Sequence, residues 1–138
     1  MTRELFSQIQ LPAKLEYLGI FIASVKDAAE KYGFAKTRIS EIELATEEIL
    51  VNIFNYAYQN AETGCVQLIT GTDEERRFVI EISDTGIPFN MLQADPPDLT
   101  SDISLRKIGG LGVFLARELI NDISYYRADN RNILKIRV

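Results

Sequence analysis

Apolar and polar side chains alternate from Glu4 to Leu11, with Leu5, Ser7, Ile9 and Leu11 set against Phe6, Gln8 and Gln10. That period of two predicts a short strand, which Pro12 interrupts. The period then changes. Between Lys14 and Tyr32, the residues Leu18, Phe21, Ile22, Val25, Ala28 and Ala29 recur at three- and four-residue spacing, the pattern of an amphipathic helix. Gly33 is placed to end it. A second helix is predicted to open at Ser40-Glu41-Ile42-Glu43, which has capping-box spacing, and to run to about Tyr58. Ile42, Ala45, Ile49, Ile53 and Phe54 form its core-facing stripe, and Gly64 falls in the turn beyond.

Cys65–Gly71 and Arg77–Ser83 are rich in β-branched and aromatic residues and read as strands, joined by a hairpin turn at Thr72-Asp73-Glu74-Glu75. Pro88–Lys107 has no sustained period, holds Pro88, Pro96 and Pro97, and reads as a long loop of the kind that serves as a lid. Val113–Ile120 predicts a third helix. Ile123–Arg127 and Ile133–Val138 predict a closing hairpin around Asp129-Asn130. Strands paired at both ends with helices between them indicate a two-layer α+β sandwich rather than alternating βαβ units.

Composition narrows the chemistry. The 138 residues suit one domain, and 46% hydrophobic with 25% charged residues is ordinary for a soluble globular chain. There is no histidine, which excludes Ser-His-Asp catalysis, histidine-ligated metals and self-phosphorylation on histidine. The single cysteine, Cys65, has no partner for an internal disulfide or a shared zinc site. A net charge of −5 argues against general nucleic-acid binding. Met1–Leu11 lacks the apolar stretch of a signal peptide, and the run Leu18–Val25 falls far short of the ~20 residues of a membrane span. The expectation is a cytoplasmic, soluble chain forming a single domain over residues 1–138.

Three clusters carry candidate chemistry. Glu48 and Asn52 are four residues apart, so on a helix they share a face, roughly 5–6 Å apart at Cβ. A carboxylate and an amide oxygen so placed could address Mg²⁺ together, or divide metal binding from proton transfer; on an exposed face they would only be solvated. Asp84-Thr85-Gly86 follows a buried-looking strand, where the glycine allows either a plain turn or close approach to a ligand. Gly109-Gly110-Leu111-Gly112 leads into a helix, an arrangement that suits phosphate and equally suits a flexible connection. No glycine precedes a Lys-Ser or Lys-Thr pair, so there is no P-loop. The dinucleotide fingerprint has Leu115 where its third glycine belongs, and neither H-R-D nor D-F-G occurs.

In this order and on these elements, the clusters resemble the motifs of the GHKL ATPases, the superfamily of gyrase, heat-shock chaperone, histidine kinase and mismatch-repair proteins. Glu48-x-x-x-Asn52 is similar to its N-box, Asp84-Thr85-Gly86-Ile87-Pro88-Phe89 to its first glycine box and Gly110-Leu111-Gly112 to its second, with the lid between. Ile108–Leu115 and Asn132-Ile133-Leu134 most resemble the stand-alone anti-sigma-factor serine kinases of bacterial partner-switching pathways. The resemblance implies a GHKL-type sandwich with a mixed, mostly antiparallel sheet and helices packed on one face. It implies Asn52 as the Mg²⁺ ligand, Glu48 as the catalytic base or orienting group, and Asp84 as acceptor for the adenine amino group. Gly86 would leave room for the base, with Phe89 and Gly109, Gly110, Leu111 and Gly112 completing the ATP contacts. Arg106 and Lys107 would lie near the developing phosphoryl charge. Two positions depart from the pattern: Tyr56 stands where many relatives carry histidine, and the lid holds Pro96-Pro97. The implied activity is Mg²⁺-ATP-dependent phosphorylation of a small antagonist protein on serine or threonine, by a homodimer that also sequesters a sigma factor, without direct nucleic-acid or membrane contact. A regulatory module that binds partners under nucleotide control, without phosphotransfer, is the alternative.

Overall fold

The computed structural model describes residues 3–58, 63–93, 116–120 and 122–138. The strand β1 (Leu5–Pro12) is followed by a 3₁₀ turn at Leu15–Tyr17, then α1 (Leu18–Tyr32) and α2 (Lys36–Tyr56). β2 (Cys65–Thr72) and β3 (Phe78–Asp84) come next, then a 3₁₀ turn at Met91–Gln93, and finally β4 (Asp122–Ala128) and β5 (Arg131–Arg137). Residues 116–119 are helical, within the stretch expected to form a third helix. The strands form one sheet in the order β1-β2-β3-β5-β4, and each described ladder is antiparallel. Among the described residues, no helix is long and apolar enough to cross a membrane.

Several boundaries differ from the sequence reading, each for a local reason. The second helix starts at Lys36, not at Ser40. Ala35 occupies the N-cap with extended backbone and makes no side-chain cap, and its carbonyl already accepts from Ile39 N at 3.0 Å. A Ser-x-x-Glu spacing therefore occurs one turn inside a helix, where it caps nothing. Pro12 belongs to β1 rather than ending it, which an edge strand permits because proline's missing N–H can face away from the ladder. Gly33 closes α1 as expected, at φ 106°, with its N–H reaching Ala29 O and Glu30 O. Asp129 and Asn130 turn the last hairpin at φ 52° and 60°, the left-handed pair of a tight two-residue connection.

The helices cover one face of the sheet. Phe21 and Val25 of α1, and Ile42, Ile49 and Leu50 of α2, pack against Val66, Leu68, Phe78, Ile80, Ile82, Leu134 and Ile136. In β3 the inward positions run Phe78, Ile80, Ile82, and the same register then delivers Asp84. In β5 the inward positions run Ile136, Leu134 and then Asn132. Asp84 and Asn132 are direct partners in the ladder. The apolar inner face thus becomes polar at one end while staying buried, with Asp84 3% and Asn132 5% exposed. The opposite end is aromatic: Phe78 is enclosed by Tyr32 and Phe34, both 5.4 Å away between centroids, and by Phe6 at 6.2 Å. At the rise of a strand, the two ends of β3 lie about 20 Å apart.

Candidate functional site

Glu48 and Asn52 sit one turn apart in the C-terminal half of α2. Asn52 is buried, and its Nδ2 donates to the Glu48 carbonyl at 3.2 Å, which fixes the nitrogen on the helix side of the amide. Glu48 is half-buried. Desolvation first, and the Glu47 carboxylate second, push its pKa above the ordinary glutamate value.

The next residues along the inner face of α2, Ile53 and Ala57, wall a recess together with Asp84, Phe89, Tyr125 and Asn132. The Asp84 carboxylate is anchored through one oxygen, whose partners are Gly86 N–H at 2.9 Å and Asn132 Nδ2 at 2.9 Å. Asn132 Nδ2 also donates to Ile87 O at 2.7 Å, while its Oδ1 accepts from Phe89 N at 3.2 Å and from the Tyr125 hydroxyl at 2.6 Å. An amide offers two donor hydrogens and two acceptor lone pairs, and here all four are used. One side chain of β5 thereby ties together Asp84, Ile87 and Phe89, the length of the loop that leaves β3.

That loop is seated on the end of α2. The last carbonyls of a helix lack partners within it, and Ile87 N–H supplies one to Ala57 O at 2.9 Å. The approach is so close that a Cβ on Gly86 would come within 2.1 Å of Ala57 O. Gly86 is therefore required for packing the loop against α2, in addition to any room it leaves for a ligand. Arg127 holds the other side, donating from Nη1 to Gly86 O at 2.9 Å. The Tyr58 hydroxyl accepts from Thr85 N at 2.8 Å and donates to Cys65 O at 2.8 Å. Phe89 packs on Tyr56 with centroids 5.6 Å apart, which gives a structural use to the tyrosine at the position where histidine was expected.

The structure thus brings Asp84, Gly86 and Phe89 into one hydrogen-bonded loop beside α2, the helix that carries Glu48 and Asn52. Gly109, Gly110, Leu111 and Gly112, with Arg106, Lys107 and most of the lid, lie outside the described residues. Sequence reasoning overlooked Tyr125, Arg127 and Tyr58 as supports of the site, and treated Asn132 only as part of a resemblance. A signal for Asn132 was present: counting back in twos from Ile136 and Leu134 places an asparagine at a core-facing strand position, where it needs a reason to be buried.

The recess holds only about 10 Å³ of free volume. A larger groove of about 370 Å³ lies on the solvent face of the sheet and contains none of these residues. Its arginines are already matched, Arg3 with Glu74 at 3.0 Å, Arg77 with Asp73 at 3.2 Å and Asp122 at 3.4 Å, and Arg137 with Asp122 at 3.4 Å. The groove also holds an anchored carboxylate, but Asp73 is ion-paired with Arg77, whereas Asp84 in the recess is buried and has no ion pair among the described residues.

The family of histidine kinase-like ATPase domains matches residues 11–138, and the chain belongs to that family. The serine-protein kinase RsbW of Listeria monocytogenes is 30% identical over 122 residues, covering 86% of this chain and 77% of its own. The serine-protein kinase RsbW of Bacillus mycoides is 27% identical over 131 residues, covering 92% of this chain and 81% of its own. Among solved structures, the RsbU and RsbW domains of Rv1364c from Mycobacterium tuberculosis superpose with a TM-score of 0.63 at 11% identity, covering 95% of this chain and 32% of that one. The histidine kinase domain of a blue-light activated histidine kinase from Erythrobacter litoralis gives 0.57 at 16% identity, covering 93% and 61%. These structural likenesses establish the fold as the two-layer sandwich of that ATPase class.

Proposed function

We propose that the chain is a single ATP-binding domain over residues 1–138, and that it acts in the cytoplasm as a Mg²⁺-dependent protein serine/threonine kinase and anti-sigma factor. The observation that carries the nucleotide reading is the Asp84 carboxylate, one oxygen spent on Gly86 and Asn132 and the other without a hydrogen bond among the described residues, in an apolar recess. An apolar slot with one strong acceptor suits the amino edge of adenine. The Phe89 side of the loop would shift to admit a base, since the recess as it stands holds about one water's volume. Asn52 would offer its amide oxygen to Mg²⁺, a cation usually held by one or two protein ligands plus phosphate oxygens. Gly109, Gly110, Leu111 and Gly112 would hold phosphates through backbone N–H groups.

Mg²⁺-ATP, when bound, supplies the phosphoryl group. Glu48 would accept the proton of the attacking serine or threonine hydroxyl, and a raised pKa brings a carboxylate closer to the range useful in a general base at neutral pH. The substrate would be a small antagonist protein. Added phosphate charge at the docking surface would release it and leave the kinase free to hold a sigma factor. The relatives named as serine-protein kinases over most of their length support this reading. A homodimeric state, and no direct contact with nucleic acid, are parts of the same proposal.

The test is phosphotransfer. Purified protein is incubated with radiolabelled Mg²⁺-ATP and a small antagonist protein, beside Glu48→Gln. Label on antagonist serine or threonine that Glu48→Gln abolishes, with ATP binding retained, is expected. ATP-dependent docking without any transfer by the wild type would reduce the chain to a nucleotide-controlled binding module.

A further inference from the structure

We propose that Asn132 sets the base selectivity of the site as a positioning residue, by locking the Asp84 carboxylate in one orientation, and that Phe89 N–H and the Ile87 carbonyl fix which end of the Asn132 amide faces that carboxylate while the Tyr125 hydroxyl braces the same amide. The inference rests on the adenine-binding reading above and adds to it the group that makes the acceptor selective.

A carboxylate turns about a broad, nearly two-fold torsion, so a buried aspartate needs external contacts to hold one oxygen toward a ligand. Two N–H donors converge on a single oxygen of Asp84, from Gly86 N and from Asn132 Nδ2, each at 2.9 Å. The backbone donor alone would allow the carboxyl group to swing. The second donor, coming from the neighbouring strand, fixes its plane. Asn132 can play this part only if its nitrogen, not its oxygen, faces Asp84. The surrounding groups decide that. Phe89 N–H can only donate and claims Oδ1, and the Ile87 carbonyl can only accept and claims Nδ2; the Tyr125 hydroxyl, able to serve either end, then adds a second bond to Oδ1. Reversing the amide would set oxygen against the carboxylate and against Ile87 O, and nitrogen against Phe89 N–H. With all four bonds committed, Asn132 has no capacity left for a ligand, so its effect on a bound base passes through Asp84.

The base chemistry then follows. A 6-amino group donates to a fixed carboxylate oxygen, whereas the 6-oxo group of hypoxanthine presents an acceptor to an acceptor. A carboxylate free to turn would discriminate far less. Neither the apolar walls nor the phosphate loop distinguishes these two bases.

The experiment measures dissociation constants for ATP and ITP by calorimetry at pH 8 in the wild type, Asn132→Leu and Tyr125→Phe, with melting temperatures alongside. Asn132→Leu keeps nearly the volume and removes the donor facing Asp84, without setting a second carboxyl group, which would share a proton with Asp84, in its place. Its preference for ATP over ITP is expected to fall about tenfold or more, the scale of a lost hydrogen bond to a charged group. Tyr125→Phe keeps every carbon, and its ratio is expected to fall about threefold. If Asn132→Leu does not fold, the Tyr125→Phe ratio decides. Equal weakening of both nucleotides, with the wild-type ratio intact, would make Asn132 a structural residue and overturn the inference while leaving ATP binding standing. A wild type that binds neither nucleotide would overturn the underlying reading instead.

Discussion

Replacing Gly86 by alanine tests whether the loop after β3 is held by packing on α2. The added Cβ would lie 2.1 Å from Ala57 O, 2.7 Å from Ala57 C and 2.8 Å from Ala57 Cβ, all at the end of a long helix that cannot yield locally. The loop must retreat by about 1 Å, which stretches the 2.9 Å Ile87–Ala57 hydrogen bond out of range and loosens the Arg127 contact to Gly86 O. Overpacking of this kind costs about 1–3 kcal/mol, and a carbonyl left without its partner about 1–3 kcal/mol more. A total of about 2–6 kcal/mol corresponds to a fall in Tm of about 7–21 °C for a chain of this size. Thermal and urea unfolding read the stability, and calorimetry on the cold, folded variant reads ATP affinity. Gly71→Ala is the control, because its Cβ would meet Glu4 O at the same 2.1 Å but far from the recess. Both variants are expected to lose stability, and only Gly86→Ala to lose ATP affinity. A Gly86→Ala protein within about 0.5 kcal/mol of wild type, an ordinary surface effect, would show that the loop is not constrained by α2.

Other outcomes follow from the same geometry. Glu48 is harder to ionise in the folded chain than in the unfolded one, so the native state holds its proton more tightly. Stability owed to it is therefore greatest below the usual glutamate pKa and declines as pH rises above that value. Glu48→Gln should melt above the wild type at pH 7, with the gap closing towards pH 4, although phosphotransfer is lost; equal melting at both pH values would remove the burial argument. Phe78→Ala should cost about 3–5 kcal/mol in urea unfolding, since the ring is fully enclosed, and should leave ATP affinity unchanged from the far end of β3. Gly19 is exposed in the first turn of α1 with no atom within 4 Å of an added Cβ, so Gly19→Ala should stabilise by about 0.5 kcal/mol.

Much of the fold was legible because the hydrophobic period changed where the elements changed. The closing hairpin was read correctly from two alternating runs around Asp129-Asn130, a pair that tolerates the left-handed backbone required there. The start of α2 was misplaced because capping-box spacing is a local pattern, and only the chain's reversal after Gly33 decides which residue stands at the cap. At the site, Asp84 and Gly86 stood out by type and spacing, and the register of β3 then accounts for why the aspartate is buried. The period of β5 marks Asn132 as buried but not what it holds, and Arg127 was not legible, because both reach the loop across strand pairings that join residues over 40 positions apart in sequence; Tyr125 acts one step further back, through Asn132. Such contacts follow from strand order, which periodicity does not reveal.

The most direct test of the nucleotide site is calorimetric titration of the purified chain with ATP, with and without Mg²⁺, beside Asn52→Ala. Saturable binding that Mg²⁺ strengthens, and that Asn52→Ala weakens only when Mg²⁺ is present, is the predicted result. A wild type of verified fold that gives no heat of binding at millimolar ATP would contradict it.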